Sequence, residues 1–396
     1  MSSGPARQES LRERNMELVF DQVLAVDGPI SRTELAARTG LTRPTITRIV
    51  DELMAASLIA ESGSASTGRA GRPRVGLSPS SKGPAGLGLD IRTDGLASCV
   101  VDLTGTVRHM SFSPFDFTDT DESAVLHRLG RMADQAREAV AAESLNVVAA
   151  TLAVPGPTDG GIVRSAPSLG WRDVDAGALL GEALEDPAIE VAVDNEANLA
   201  ACGELHTAVD APVDFVYVSG GLDLGAGIMM GGELLRGARG WGGELGHLAV
   251  EPDGKPCPCG SRGCLQTYAG LQAMVGCDRL PVGMTPEVAV TARADEGHVE
   301  TLAALDTAGR MLGVALSNVL NVLDLGTVIL GGSFAILYSW LADRVTAEVN
   351  QRVLTASWSP ITVRPAVVGP DAAAIGGALT FIDRIRKNPA ARLAAR

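Results

Sequence analysis

The chain has 396 residues, 46% of them hydrophobic and 20% charged, which excludes a largely disordered chain and a small disulfide-stapled one. At ~100–200 residues per domain, two or three domains are expected. The net charge of −14 is unevenly spread: residues 1–80 carry 10 Arg against 9 Asp or Glu (+1), and residues 81–396 carry 23 basic against 38 acidic residues (−15). The acidic body would be repelled by nucleic-acid phosphates, so any contact with DNA must come from the first segment. No apolar run approaches the ~20 residues that span a bilayer. The opening MSSGPARQESLRERN is charged and lacks the apolar core of a secretory leader, so a cytoplasmic protein without membrane contact is expected. Three of the six cysteines fall within residues 257–264, and without an export signal such clustering favours a metal over disulfides.

Met16, Val19, Phe20 and Val23 recur at helical spacing and predict a first helix over about residues 11–26, stopped by Asp27-Gly28-Pro29. Ser31-Arg32-Thr33-Glu34 has the form of a capping box and starts a short second helix, which Gly40 ends. Thr42 can cap a third helix with Pro44 in its first turn. There Ile46, Ile49, Val50 and Leu53 form one buried stripe, which leaves Arg43, Thr45, Thr47 and Arg48 facing outward. Two short helices joined by a tight glycine turn read as a helix-turn-helix, whose second helix enters the major groove N-terminus first. Thr42, Arg43, Thr45, Thr47 and Arg48 are the candidate DNA contacts. A strand from about Ser57 to Glu61 and another around residues 72–77 flank a Gly/Ser-rich stretch. They read as a wing, with Arg69, Arg72 and Arg74 in reach of phosphate or minor groove. The competing reading is a three-helix module for protein contacts. A linker over residues 78–84, twice interrupted by proline, is expected to be stiffened rather than floppy.

From Gly86 the pattern changes to strands at about residues 86–91, 97–102 and 106–110, a helix over 122–143 and a strand over 147–154. A similar succession restarts at Phe215, with glycine turns at residues 220–221 and 231–232, and a further strand at 328–330. Two lobes of this kind predict a duplicated α/β fold with a cleft between them. Cys99, Cys202 and Cys277 sit in apolar or helical contexts and read as packing residues.

The segments Glu244-Leu245-Gly246-His247 and Cys257-Pro258-Cys259-Gly260-Ser261-Arg262-Gly263-Cys264 closely resemble the signature of the ROK family of repressors and sugar kinases. Val154-Pro155-Gly156-Pro157, Asp194-Asn195-Glu196-Ala197-Asn198 and Leu330-Gly331-Gly332-Ser333 match it too, in the same order. The resemblance spans residues 80–385 and implies an actin-like (ribonuclease H-like) body, preceded by the winged helix-turn-helix of the regulator branch. Its lobes would take residues 81–203 with 372–396, and 204–371. His247 with Cys257, Cys259 and Cys264 then makes the three-thiolate, one-imidazole set of a structural zinc, one per chain. The resemblance places Ser168, Asn195, Glu196, Glu244, His247 and Gln266 around a sugar, with Ser168 standing where asparagine is usual and Gln266 where glutamate is usual.

A kinase of this type needs a carboxylate base and glycine-lined phosphate loops. Here the first loop reads Asp90-Ile91-Arg92-Thr93-Asp94 and the second Gly221-Leu222-Asp223, with Glu196 where the family's catalytic aspartate falls. Arg92, Leu222 and two anions are a poor cradle for phosphate. The expectation is therefore no enzyme but a sugar-responsive transcriptional regulator, a repressor, that binds operator DNA as a homodimer or homotetramer. The alternatives are an ATP-dependent sugar kinase with a DNA-binding arm, and a DNA-binding protein whose sugar domain only dimerises.

Overall fold

The computed structural model describes residues 8–65, 74–117, 120–208, 210–221, 223–276 and 284–394. The head is built from helices Gln8–Leu24, Arg32–Thr39 and Arg43–Ala55, with strands Ile59–Ala65 and Arg74–Pro79 paired antiparallel and the short strand Ile30–Ser31 added to the latter. Its starts and stops follow local chemistry. Ser31 and Glu34 form the expected reciprocal cap, Gly40 closes the second helix at φ 72°, and the Thr42 side chain accepts from the Thr45 amide. Ser57 does not join the wing strand: it turns at φ 58° while the Leu58 amide donates back to the Leu53 carbonyl, so the strand begins at Ile59. The wing tip, with Arg69 and Arg72, lies outside the described residues, and Arg74 opens the second wing strand.

Two five-stranded sheets make the body. The first runs Glu190–Asn195, Leu145–Val154, Gly83–Ile91, Gly95–Asp102, Val107–Pro114 across the sheet. The second runs Glu233–Leu234, Leu224–Met230, Phe215–Gly220, Thr327–Gly332, Thr362–Pro365. In each, the first three strands in chain order form an antiparallel meander, the fourth pairs parallel with the first strand's other edge and the fifth pairs parallel with the fourth, so the two sheets share the order 3-2-1-4-5. The duplication expected from the repeated pattern is thus present strand for strand. A small sheet of Thr158–Asp159, Ile162–Ala166 and Trp171–Asp175 is inserted into the first lobe.

Helix Ala372–Lys387 returns to the first lobe. It packs on strands Gly83–Ile91, Gly95–Asp102 and Leu145–Val154 and lies along helix Glu196–Thr207. Its far end also enters the head. Phe381 and Ile385 are buried in one continuous cluster with Met16, Phe20, Ile46, Leu53 and Leu77, and Arg386 pairs with Asp21 at 2.9 Å. The expected linker is correspondingly shorter than the composition suggested. Pro79 ends a wing strand, Gly83 begins the first strand of the body, and Ser80 ties its amide to the Leu58 carbonyl. Head and first lobe are one packed unit.

Phe381 is therefore expected to hold two parts at once. Phe381→Ala should cost about 3–5 kcal/mol, and calorimetry should still show head and first lobe melting together, at a lower temperature.

Candidate functional site

Between the lobes lies a pocket of about 460 Å³, within the ~300–1,000 Å³ range of small-molecule sites. The first lobe contributes Pro155, Gly156, Pro157, Asn195 and Glu196; the second contributes Asp223, Leu224, Gly225, Trp241, Glu244 and His247. Asn195 caps helix Glu196–Thr207, its Oδ1 accepting from the amides of Ala197 and Asn198 and its Nδ2 donating to the Gly156 carbonyl. This fixes the first residue of the helix, Glu196, at the pocket wall. Ser219 donates its hydroxyl to the Glu196 carboxylate at 2.8 Å. Burial pushes the Glu196 carboxyl up to about 7 against the Ser219 hydrogen bond, which favours the charged form. Glu244 is likewise raised to about 7, by burial and by the neighbouring charge of Asp223.

Four of the six residues expected around the sugar thus line one pocket. Ser168 and Gln266 do not. Ser168 sits on the exposed turn Pro167–Leu169 and donates to Asp223 Oδ2 at 2.9 Å, bridging the two lobes. Gln266 Oε1 accepts from the Leu224 amide at 2.7 Å and steadies the strand that brings Leu224 and Gly225 to the pocket. Sequence reasoning missed Trp241, whose indole nitrogen donates to the Thr158 carbonyl at 2.9 Å; a lone Trp within a glycine-rich run was the available signal.

His247 ends the short turn Leu245–His247 at the same pocket, and there the cysteine loop meets it. The donor atoms of His247, Cys257, Cys259 and Cys264 all lie within 4.8 Å of one another, with Cys259 Sγ–Cys264 Sγ at 3.7 Å and Cys257 Sγ–His247 Nδ1 at 3.8 Å. Tetrahedral zinc with ~2.3 Å bonds to sulfur places its ligands about 3.7 Å apart. Donor set and spacing fit a zinc ion. With four protein ligands, the coordination would be closed.

The phosphate-side cleft, about 210 Å³, is lined by Asp90, Arg92, Asp94, Glu196, Gly220, Gly221, Glu287 and Gly332, among others. The expected picture of two free anions repelling phosphate needs correcting. Arg92 binds Asp94 through Nε and Nη2 (3.1 and 3.2 Å) and Asp371 through Nη1 (3.0 Å), so Asp94 is paired rather than free. Asp223 faces the sugar-side pocket instead, and Leu222 lies outside the described residues, as does Cys277. Asp90 is buried with one carboxylate oxygen lacking a hydrogen-bond partner, and burial followed by the charge of Glu196 raises its pKa well above the carboxylate range.

On the head, Thr42, Arg43, Thr47 and Arg48 are exposed, while Thr45 is half-buried with its hydroxyl 2.9 Å from that of Thr42. Arg43 and Arg48 have no ion-pair partner among the described residues, whereas Asp51 and Glu52 further along the helix are engaged by Arg32 and Arg12. The N-terminal half of helix Arg43–Ala55 is therefore the half with cations available to a polyanion.

Residues 86–384 match the ROK family and residues 19–70 match the MarR family. The xylose repressor of Bacillus subtilis is 28% identical over 386 residues, covering 96% of this chain and 97% of that protein. A crystal structure of a ROK family transcriptional regulator, homologous to the Escherichia coli Mlc protein, superimposes with a TM-score of 0.77 at 25% identity, over 98% of this chain and 100% of that one. The ROK hexokinase of Thermus thermophilus matches the body alone, with a TM-score of 0.61 at 26% identity over 76% of this chain and 99% of that one. No helix among the described residues is long and apolar enough to cross a membrane.

The raised value of Glu196 carries a sign. A carboxyl that is harder to ionise when folded stabilises fully below its ordinary value of 4.5 and loses that contribution as pH rises through about 7. Glu196→Gln should therefore gain in melting temperature relative to the parent between pH 5 and pH 8, with the two curves diverging as pH rises; parallel curves would contradict the assignment.

Proposed function

The chain belongs to the ROK family, and from that membership we propose that it is a sugar-responsive transcriptional repressor acting on operator DNA. The observation that carries this reading is the continuity of the molecule: a winged helix with an exposed Thr/Arg face shares a core with a body that keeps a monosaccharide-sized pocket. Nearly full-length likeness to a xylose repressor supports it. In this reading Glu196 and Asn195 hold a sugar from the first lobe, and Glu244 and His247 hold it from the second. A ligand gripped by both favours one lobe arrangement. Helix Ala372–Lys387, packed along the helix that Glu196 begins and built into the head, passes that arrangement to the DNA-binding face. The protein works as a cytoplasmic homodimer whose heads must meet major-groove faces about 34 Å apart or a multiple of it.

His247, Cys257, Cys259 and Cys264 hold a structural zinc in this reading. The ion supplies crosslinking, which fixes the His247 ring beside the pocket. We read the chain as lacking kinase activity. Arg92, tied to Asp94 and Asp371, lines the cleft where phosphate would approach, and Glu196 is engaged by Ser219.

Operator binding followed by anisotropy tests the central claim. Arg43→Ala and Arg48→Ala should each weaken binding, with the salt slope falling by about one unit for each phosphate that the variant no longer neutralises. A bound sugar should shift operator affinity by ~5–150-fold, with the same factor appearing in sugar affinity when operator is saturating. Unchanged operator affinity across a sugar panel would remove the sugar-responsive part. Metal analysis should return one zinc per chain, reduced in Cys259→Ser. A coupled assay with Mg-ATP and common hexoses should give no turnover approaching the ~10 s⁻¹ typical of enzymes.

A further inference from the structure

Negative charge collects where the sugar pocket meets the phosphate-side cleft. Glu196 lines both cavities; Asp223 and Glu244 share the walls of the sugar pocket, and no Lys or Arg is among the described residues lining that pocket. The cation of the adjoining cleft, Arg92, is committed to Asp94 and Asp371. Behind Glu196, Asp90 is 1% exposed and keeps one carboxylate oxygen without a hydrogen-bond partner. Glu287, 7% exposed, brings a second such oxygen to the same cleft. Buried carboxylates of this kind are stable only when paired or protonated.

The charge imbalance sorts the ligands that fit the volume. A sugar phosphate or sugar acid adds anions to a wall with no Lys or Arg in its described lining, the Arg239 guanidinium standing 5.5 Å from the ring of Trp241. A neutral pyranose gives its hydroxyls as donors but leaves the charge where it was. A protonated amine supplies three donors and the missing positive charge together. We propose that the ligand of this pocket is an amino sugar, a pyranose bearing an unsubstituted ammonium that sits against Glu196 on the Asp90 side. The proposal rests on the sugar-pocket reading above and narrows it to one chemical class. The pinned indole of Trp241 offers the flat apolar wall on which the ring's C–H face packs. Burial raises Asp90 and Glu196 even though the charge of Arg92 lowers both, and an adjacent ammonium would further favour their charged forms.

Calorimetric titration of the full-length protein at pH 7 provides the test. The probes are glucosamine, mannosamine, galactosamine, 3-amino-3-deoxyglucose and 6-amino-6-deoxyglucose, each against its neutral parent sugar, with N-acetylglucosamine and glucose 6-phosphate alongside. At least one amino sugar is expected to bind tenfold or more tightly than its parent. N-acetylglucosamine should lose the advantage if glucosamine shows it, and glucose 6-phosphate should bind more weakly than glucose. Asp90→Asn, close in shape, should shrink the amino-to-neutral ratio; if that variant does not fold, the parent-protein ratios decide alone. The proposal is overturned if every neutral parent equals or exceeds its amine, or if the phosphate binds tightest. A protein that binds operator but none of these sugars would overturn both this proposal and the sugar-pocket reading beneath it.

Discussion

Helix Ala372–Lys387 lies on the first sheet and on helix Glu196–Thr207 with bare backbone at the points of contact. A Cβ on Gly88 would run into the Ala374 carbonyl, one on Gly376 into the Leu199 carbonyl, and one on Gly203 into the Ala372 carbonyl. Glycine is required at these places for close approach rather than for conformational freedom. This joint sets the position of the pocket's first wall and of the head. Just before the helix, Asp371 meets Arg92; beside it, Glu196 begins its own helix at the pocket; at its other end, Phe381 and Ile385 complete the head. Interiors packed at this density respond to strain by switching between discrete arrangements rather than by deforming smoothly.

The cysteine loop does comparable work for the second lobe at a smaller scale. Cys264 is buried, while Cys259 reaches the sugar-side pocket, so a metal there would join a core position to a pocket wall. Beside it, Gln266 reaches the Leu224 amide, and strand Leu224–Met230 is thereby registered against the same loop. The pocket's second wall is thus held by short local ties. Its first wall depends on the long helix.

What was legible in the sequence was what local chemistry decides. Ser31 with Glu34, Thr42 and Gly40 announce their helix ends, and the buried stripe of Ile46, Ile49, Val50 and Leu53 leaves only one outward face. Cys257, Cys259 and Cys264 announce a metal loop by spacing alone, whereas His247 entered only through the family likeness. What stayed hidden was set by partners far along the chain. Arg92 looked like a simple obstruction until its partner Asp371, 279 positions away, came beside it. Ser168 and Gln266 carry plausible hydrogen-bonding groups, and tertiary packing ties them to Asp223 and to the Leu224 amide at the pocket's second wall, partners that the sequence does not reveal. Phe381 and Ile385 follow a helical period that marks them as buried without saying against which body.

The shared core of head and body has a consequence for how the protein is made. The strands and helices of the head are synthesised within the first 79 residues, yet two of the side chains that close its core come roughly 300 residues later. At translation rates of ~5–20 residues per second, that interval is on the order of 15–60 s. For that time a nascent head presents Met16, Phe20 and Leu53 without their final cover, and its DNA-reading helix rests on an unfinished base. The same helix that completes the head also backs the pocket's first wall, so the two are completed together. A shortened product that stops before Phe381 has the third helix of the head but lacks two of the side chains that share its core.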